Sequence, residues 1–586
     1  MKKYIFTIAA GLLLTSGIFA QTQPADTLLR RQMEVEREFN PTVMDATRIT
    51  SLPALPQPVV HRASTNFSTW AGRATPPLEI ALPRPSTAMT EILFDRRRGY
   101  ISLNAGNYAN VDGAFGFRFI DNGRSTLGFN FLHNSTNGEV SFVQEDADPS
   151  RNRAQIMDNF GQLRFQHLLQ EGRVNAHVSY LHSMFNYYGN TFGHDRWFNN
   201  EQQRLGVLNA NVGFEMNRFD RFNVLGSVDV KNFNTLFGAT LESDGILGNE
   251  IDARLGFNQP FQAGNLNTRI GVDGQFFATI YGGDNEFLDN YSQIVAAPYI
   301  AFSGNRFHAR LGADAQMQFI DGNRVRIVPN VDVNVLLGAH SSLYAKVHGG
   351  FNPNTFLSMM NTSRFIDPFF APRTRPSFTV IDVTAGVRVG QLDGFRFDIF
   401  GGFRQTDDEH FLIRARRGEE IDVNLTKIFY TEALAPIFGN LSHSHIGGMI
   451  QSNIFPPLDI SLRVQRNFYT VRDVDMSPLF GWADIQDAKA FGLPGITADV
   501  RAVLRASNSL SFTLNYHFAG DRWSFYNGEN VQMNNISDLN LGVMYRINDF
   551  LSLNVKANNI LFQRYDIWFG HPAQGFNAMG GFTFRF

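Results

Sequence analysis

The residues best suited to do chemistry in this chain are charged ones that recur two or four positions apart. Arg269 with Asp273, Arg306 and Arg310 with Asp314, Arg463, Asp499 with Arg501 and Arg505, and Asp538 with Arg546 form such sets. In an extended strand that spacing puts every member of a set on one face. A face of mixed charge can bind or pass a hydrophilic or anionic solute. The same face also serves as charge balance on a wetted wall, which is the default state of a lumen. A second group is aromatic: Phe185, Tyr187, Tyr188, Trp197 and Phe198, then Phe356, Phe365, Phe369 and Phe370, then Trp523, Phe525 and Tyr526, then Tyr565, Trp568 and Phe569. Aromatic faces can stack on sugars or hold an apolar ligand, or else anchor at a membrane interface and pack loops. Tyr187, Tyr188, Trp197 and Phe198 are the foremost candidates for an extracellular ligand site. His443 and His445 share one strand face, with Asp407-Asp408-Glu409-His410 before them. Two histidines without a third defined ligand do not make a metal site, so none is assigned. No nucleophile elbow and no phosphate-cradling glycine loop occurs, so the chain is expected not to be an enzyme and to need no cofactor.

The elements that carry these residues alternate with period two from Gly99 onward. Between Arg306 and Phe319 one face holds Phe307, Ala309, Leu311, Ala313, Ala315, Met317 and Phe319, and the other holds Arg306, His308, Arg310, Gly312, Asp314, Gln316 and Gln318. A strand in a globular core commonly runs about 5–6 residues, whereas a membrane-spanning strand needs about 9–11. The pattern recurs at Leu266–Ile280, Pro329–Leu337, Ile460–Val464, Ala498–Leu504 and Leu539–Ile547. Short turns such as Asp121-Asn122-Gly123, Gly304-Asn305 and Asn548-Asp549 alternate with long loops, among them 134–157, 187–202, 351–376 and 405–439. Short periplasmic turns and long extracellular loops mark an outer-membrane barrel. The expected fold is all-β: a closed antiparallel transmembrane β-barrel of about 22 strands over 99–586, both ends periplasmic, with strands starting near 158 and 440 after two of the long loops. A secreted propeller or sandwich would show shorter strands or a blade repeat, and none is present.

Composition agrees. The chain has 586 residues, 51 Lys+Arg against 54 Asp+Glu, a formal net charge of −3, 51 Gly, 56 Phe and no Cys. The near-neutral balance argues against nucleic-acid binding. The missing thiols exclude disulfides and thiolate metal sites. Met1-Lys2-Lys3, the apolar run Ile5 to Ala20 and the Ala20-Gln21 junction read as a signal peptide over 1–20. Residues 21–98 are proline-rich, with Pro41, Pro53, Pro56, Pro58, Pro76, Pro77, Pro83 and Pro85, and read as a periplasmic or lumen-occluding segment. Arg96-Arg97-Arg98 then marks the periplasmic mouth.

The final residues, Gly580-Gly581-Phe582-Thr583-Phe584-Arg585-Phe586, resemble the C-terminal signal read by the barrel-assembly machinery, with Gly581, Phe584 and Phe586 as its positions. Upstream, Asn558-Asn559-Ile560-Leu561-Phe562, Tyr565, Trp568 and Gly570-His571-Pro572-Ala573-Gln574-Gly575 look like the last hairpin of TonB-dependent receptors of the Bacteroidota type. The resemblance covers about the last 40 residues. It implies a barrel in the bacterial outer membrane, surrounded by outer-membrane lipid, acting as a receptor-like channel or transporter for a hydrophilic solute. Residues 21–98 lack the family's TonB-box and plug motif. That motivates the alternative of a plug-less scaffold with a surface or periplasmic partner protein.

Overall fold

The computed structural model describes residues 97–144, 150–189, 202–218, 222–238, 244–282, 288–320, 322–368, 375–390, 394–420, 428–475, 487–526 and 528–586. The signal-peptide and proline-rich expectations, and Trp197 and Phe198, lie outside the described residues. Twenty-two antiparallel strands form one sheet that closes on itself. The first strand, Gly99–Gly106, pairs with the last, Asn577–Arg585, from Tyr100↔Arg585 to Gly106↔Met579. Gly99 and Phe586 exchange both backbone hydrogen bonds at 2.9 Å, which finishes the seam. Closure leaves no strand edge bare, as a wall in contact with lipid requires.

The period-two segments become strands of the expected kind. Phe307–Phe319 and Leu266–Gly282 cross the wall in register with Tyr291–Ser303 between them. Large apolar side chains point outward all round: Ile270 is 54% exposed, Leu311 44%, Ile327 73% and Val555 55%. Between those outward positions, Thr279, Asp314 and Asn330 are buried. Apolar outside and polar inside is the reverse of a soluble β-protein and matches a transmembrane barrel. Among the described residues no helix is long and apolar enough to cross a membrane; the strands do the crossing.

Two strand starts differ from the sequence reading by more than three residues. A strand starts at Arg151 where 158 was expected, and another at Ile428 where 440 was expected. Most of the 134–157 and 405–439 "loops" is paired strand: Ser125–Ser141 with Arg151–Leu168, and Phe395–Glu420 with Ile428–Ser452. Above the lipid both faces of the second hairpin meet protein, so its alternation stops while backbone pairing goes on. Phe411, Leu412 and Ile413 are buried in succession for that reason.

Candidate functional site: a charged lumen beneath an apolar cap

Cross-strand register brings the inner charges together. Arg310 donates to Asp273 at 2.7 Å, and its guanidinium lies 3.8 Å from the centre of the Tyr299 ring. Asp314 accepts from Asn330 at 2.8 Å. Asp499 sits opposite Arg463 on one side and His517 on the other, with His517 Nδ1 2.7 Å from its carboxylate. Arg463 donates to Gln465 at 3.1 Å. Arg501 faces Ser461 and Asn515, and Arg269 faces Pro260 and Ala301. Arg306 precedes its strand, which starts at Phe307. It sits in the short turn at the rim, where its carbonyl accepts from Leu336 N at 2.6 Å.

Pairs that sequence reasoning did not single out complete the wall. Asp398 holds Arg388 at 3.2 Å and accepts from the Tyr344 hydroxyl at 2.9 Å. Lys556 reaches Asp112 at 3.2 Å across the closing seam, and Lys346 reaches Asp332 at 3.3 Å. These partners lie on different strands, so spacing within one strand could not reveal them. His443 stacks on Tyr469 at 4.7 Å and bonds Asn467 at 3.0 Å. Among the described residues no group of three or more metal-ligating side chains comes together.

At the long-loop end protein packs inward from around the sheet. A single buried apolar cluster draws Val140, Phe185, Phe233, Phe365, Leu434, Ile536 and Trp568 from all round the sheet. Its centre is the segment after the strand Ser341–Asn352. The helix Phe356–Thr362 starts there, capped by Thr355, whose hydroxyl accepts from Ser358 N at 3.1 Å. The same hydroxyl lies 2.5 Å from the Glu250 carboxylate. Farther along, Arg364 makes a forked pair with Asp158, both bonds at 3.0 Å. Ile366 bridges to Leu434 on the long hairpin. The helix segment thus ties together strands far apart in the sheet order. A second cluster, including Phe411, Ile413, Ile437, Phe491 and Phe525, packs on the other face of that hairpin.

Tyr187 and Tyr188 sit inside this cap, each 3% exposed. Their hydroxyls donate to the carbonyls of Ile366 at 3.4 Å and Pro572 at 3.1 Å. Burial raises both phenols far above their ordinary range. Phe365 stacks on His571 at 4.6 Å, and burial, reinforced by the nearby Arg414 charge, pushes His571 down to about 3. Arg522 is fully buried and donates to the carbonyls of Asp566 at 2.8 Å and Ile567 at 2.5 Å; burial brings it down to about 10. Two small hairpins outside the barrel sheet, Arg522–Tyr526 with Glu529–Met533 and Asp566–Trp568 with His571–Pro572, carry these groups.

In the closing strand, Gly581 faces the lumen where a Cβ would lie 2.0 Å from the Leu103 carbonyl oxygen. Phe584 and Phe586 face outward, stack on each other at 6.1 Å and are 38% and 43% exposed. Phe586 also stacks on Phe117, at 6.0 Å across the seam.

No family model matches this chain, and no curated protein matches it. Solved structures do. A mutant of the ferric enterobactin receptor PfeA from Pseudomonas aeruginosa superposes with a TM-score of 0.58 at 11% identity, over 83% of this chain and 80% of the other. The ferric-catecholate import receptor Fiu from E. coli K12, in its closed form, gives 0.58 at 11%, over 84% and 82%. The siderophore receptor PiuA from Acinetobacter baumannii gives 0.58 at 9%, over 83% and 82%. At such identities the likeness is one of fold. A closed barrel of this size with an apolar outer band resides in the outer membrane of a Gram-negative cell.

Proposed function

We propose that this protein is a receptor-like outer-membrane transporter for a hydrophilic solute, with the loop cap closing its outer mouth. The observation that carries the reading is the polar, charge-paired inner wall running beneath a folded apolar cap. That wall includes the pairs Arg310–Asp273, Asp398–Arg388 and Lys556–Asp112. The fold shared with siderophore receptors, and the likeness of the last hairpin to TonB-dependent receptors of the Bacteroidota type, both support receptor-like transport. Terminal residues Phe584 and Phe586 are proposed to be read by the assembly machinery before the seam closes. The test is uptake of small radiolabelled hydrophilic solutes into liposomes that hold the full chain, the chain without residues 21–96, or a cap variant, Phe365→Asp. Flux in the cap variant or the shortened chain supports transport. Absence of flux from all three, together with a stoichiometric protein partner in gentle detergent, would favour the scaffold.

A further inference from the structure

Charge on the inner wall is not spread evenly along the strands. Toward the long loops, carboxylates are frequent: Asp229, Glu250 and Asp252 line two adjoining strands, and Asp158 lies on a third, separated from them by two strands. Close to the short turns arginine is the more frequent inward charge. Arg164, Arg269, Arg388, Arg396, Arg501 and Arg546 all lie within a few residues of a short turn, on strands distributed around the whole sheet. Several have strongly exposed apolar neighbours in sequence: Leu163, Ile270, Val387 and Val389, Phe395, and Tyr545. Strand alternation therefore turns these arginines inward, away from lipid headgroups. Carboxylates at that level are mostly taken up in pairs: Glu215 holds Arg173 at 2.8 Å and Asp121 holds Arg118. Asp398 holds Arg388 and Arg396 at 3.2 and 3.7 Å, and Asp459 holds Arg505 at 2.8 Å. Among the described residues, no carboxylate lies within ion-pair distance of Arg164, Arg269 or Arg501; Arg164 donates only to Gln162, at 3.3 Å.

We infer that the short-turn mouth of the lumen is an anion-binding belt, and that the solute it accepts is small and carries several negative charges on carboxylate, sulfate or phosphate groups. The inference deepens the transporter reading and rests on it for the word solute; the binding itself can be measured without transport. Cations on a concave, low-dielectric wall focus their field into the opening. The guanidinium fork matches the paired oxygens of such anions. A ring of these groups around the mouth favours several charges over one.

The test is anisotropy of a pyrene tetrasulfonate dye titrated with the full chain in zwitterionic detergent. Saturable binding is expected, weakening as salt rises past about 0.15 M. The triple variant Arg164→Gln/Arg269→Gln/Arg501→Gln should bind about tenfold more weakly, as expected for lost charge complementarity. Arg324→Gln, at the other end of the wall, should bind as the parent does. Heat-dependent gel mobility reports whether each barrel is closed. Should the glutamine triple not close, the Arg→Lys triple, which keeps the charges, should bind near the parent level, and the three single glutamine variants should each weaken binding. Unsaturable binding, undiminished binding in the closed triple or in all three singles, or equally tight binding of a pyrene trimethylammonium cation would overturn the belt. Flux that fails while dye binding persists defeats transport and leaves the belt standing. Flux that persists without dye binding does the reverse.

Discussion

At the scale of single residues, the account turns on which way a side chain points. Leu311 and Asp314 are three positions apart on one strand and face opposite media. Leu311→Arg puts a charge in hydrocarbon and should cost roughly 2–4 kcal/mol of stability, read from urea-dependent unfolding in lipid. Asp314→Asn keeps an acceptor for Asn330 and should be mild by comparison. Gly581 leaves no space for a side chain against the Leu103 carbonyl. Gly581→Val should therefore prevent the seam from closing and abolish heat-dependent gel mobility. His571 gives the cap a pH dependence with a definite sign. Its value is about 3 in the folded cap and 6.5 when the cap opens. As pH falls below about 6.5, the opened form takes up the proton first, so the cap loses stability down toward pH 3; above that window the contribution is complete. Asp566, raised by burial above its ordinary 3.8, acts in the other direction, its contribution being lost as pH rises through its folded value. Acid opening of the cap, followed by Trp568 fluorescence, should be weaker in His571→Phe than in the parent.

At the scale of elements, the cap and the wall are held by different forces and should fail separately. Phe365 is fully buried among Phe185, Tyr188 and His571. Phe365→Ala should cost the cap about 3–5 kcal/mol, raising protease cleavage of the long-loop end while the barrel keeps its gel mobility. The strands themselves were legible in the sequence wherever one face met lipid and the other met water. The run from Phe307 to Phe319 is the clearest case, because two unlike solvents write two unlike residue sets. The pattern fails once both faces meet protein: Leu412 turns toward the central cap core and Phe411 and Ile413 toward the second cluster. That is why the 405–439 hairpin reads as a loop. The cap is illegible for a related reason. Tyr187, Phe365 and Trp568 come from loops far apart in sequence, and no spacing rule predicts that they meet. Of the charged candidates, strand parity gives the inward face of Arg269, Asp273, Arg310 and Asp314, while partners such as Asp398 with Tyr344 depend on register between strands and become visible only in the assembled sheet.

At the scale of the whole molecule, everything depends on a sheet that closes with hydrocarbon outside and polar groups inside. The pairing of Gly99–Gly106 with Asn577–Arg585 makes the first and last strands mutually dependent. Phe586→Asp should therefore lower the yield of closed barrel in the membrane, measured as the heat-shifted band. The most direct test of the closed barrel uses the chain's lack of cysteine. Each residue from Ala309 to Gln316 is changed singly to Cys, spin-labelled and reconstituted in lipid. Oxygen, which partitions into hydrocarbon, should reach Ala309, Leu311, Ala313 and Ala315 best. A water-soluble nickel chelate should favour Arg310, Gly312, Asp314 and Gln316, giving two period-two profiles out of phase. Profiles in phase, or an odd-numbered face shielded from oxygen as in a dry protein core, would contradict the account.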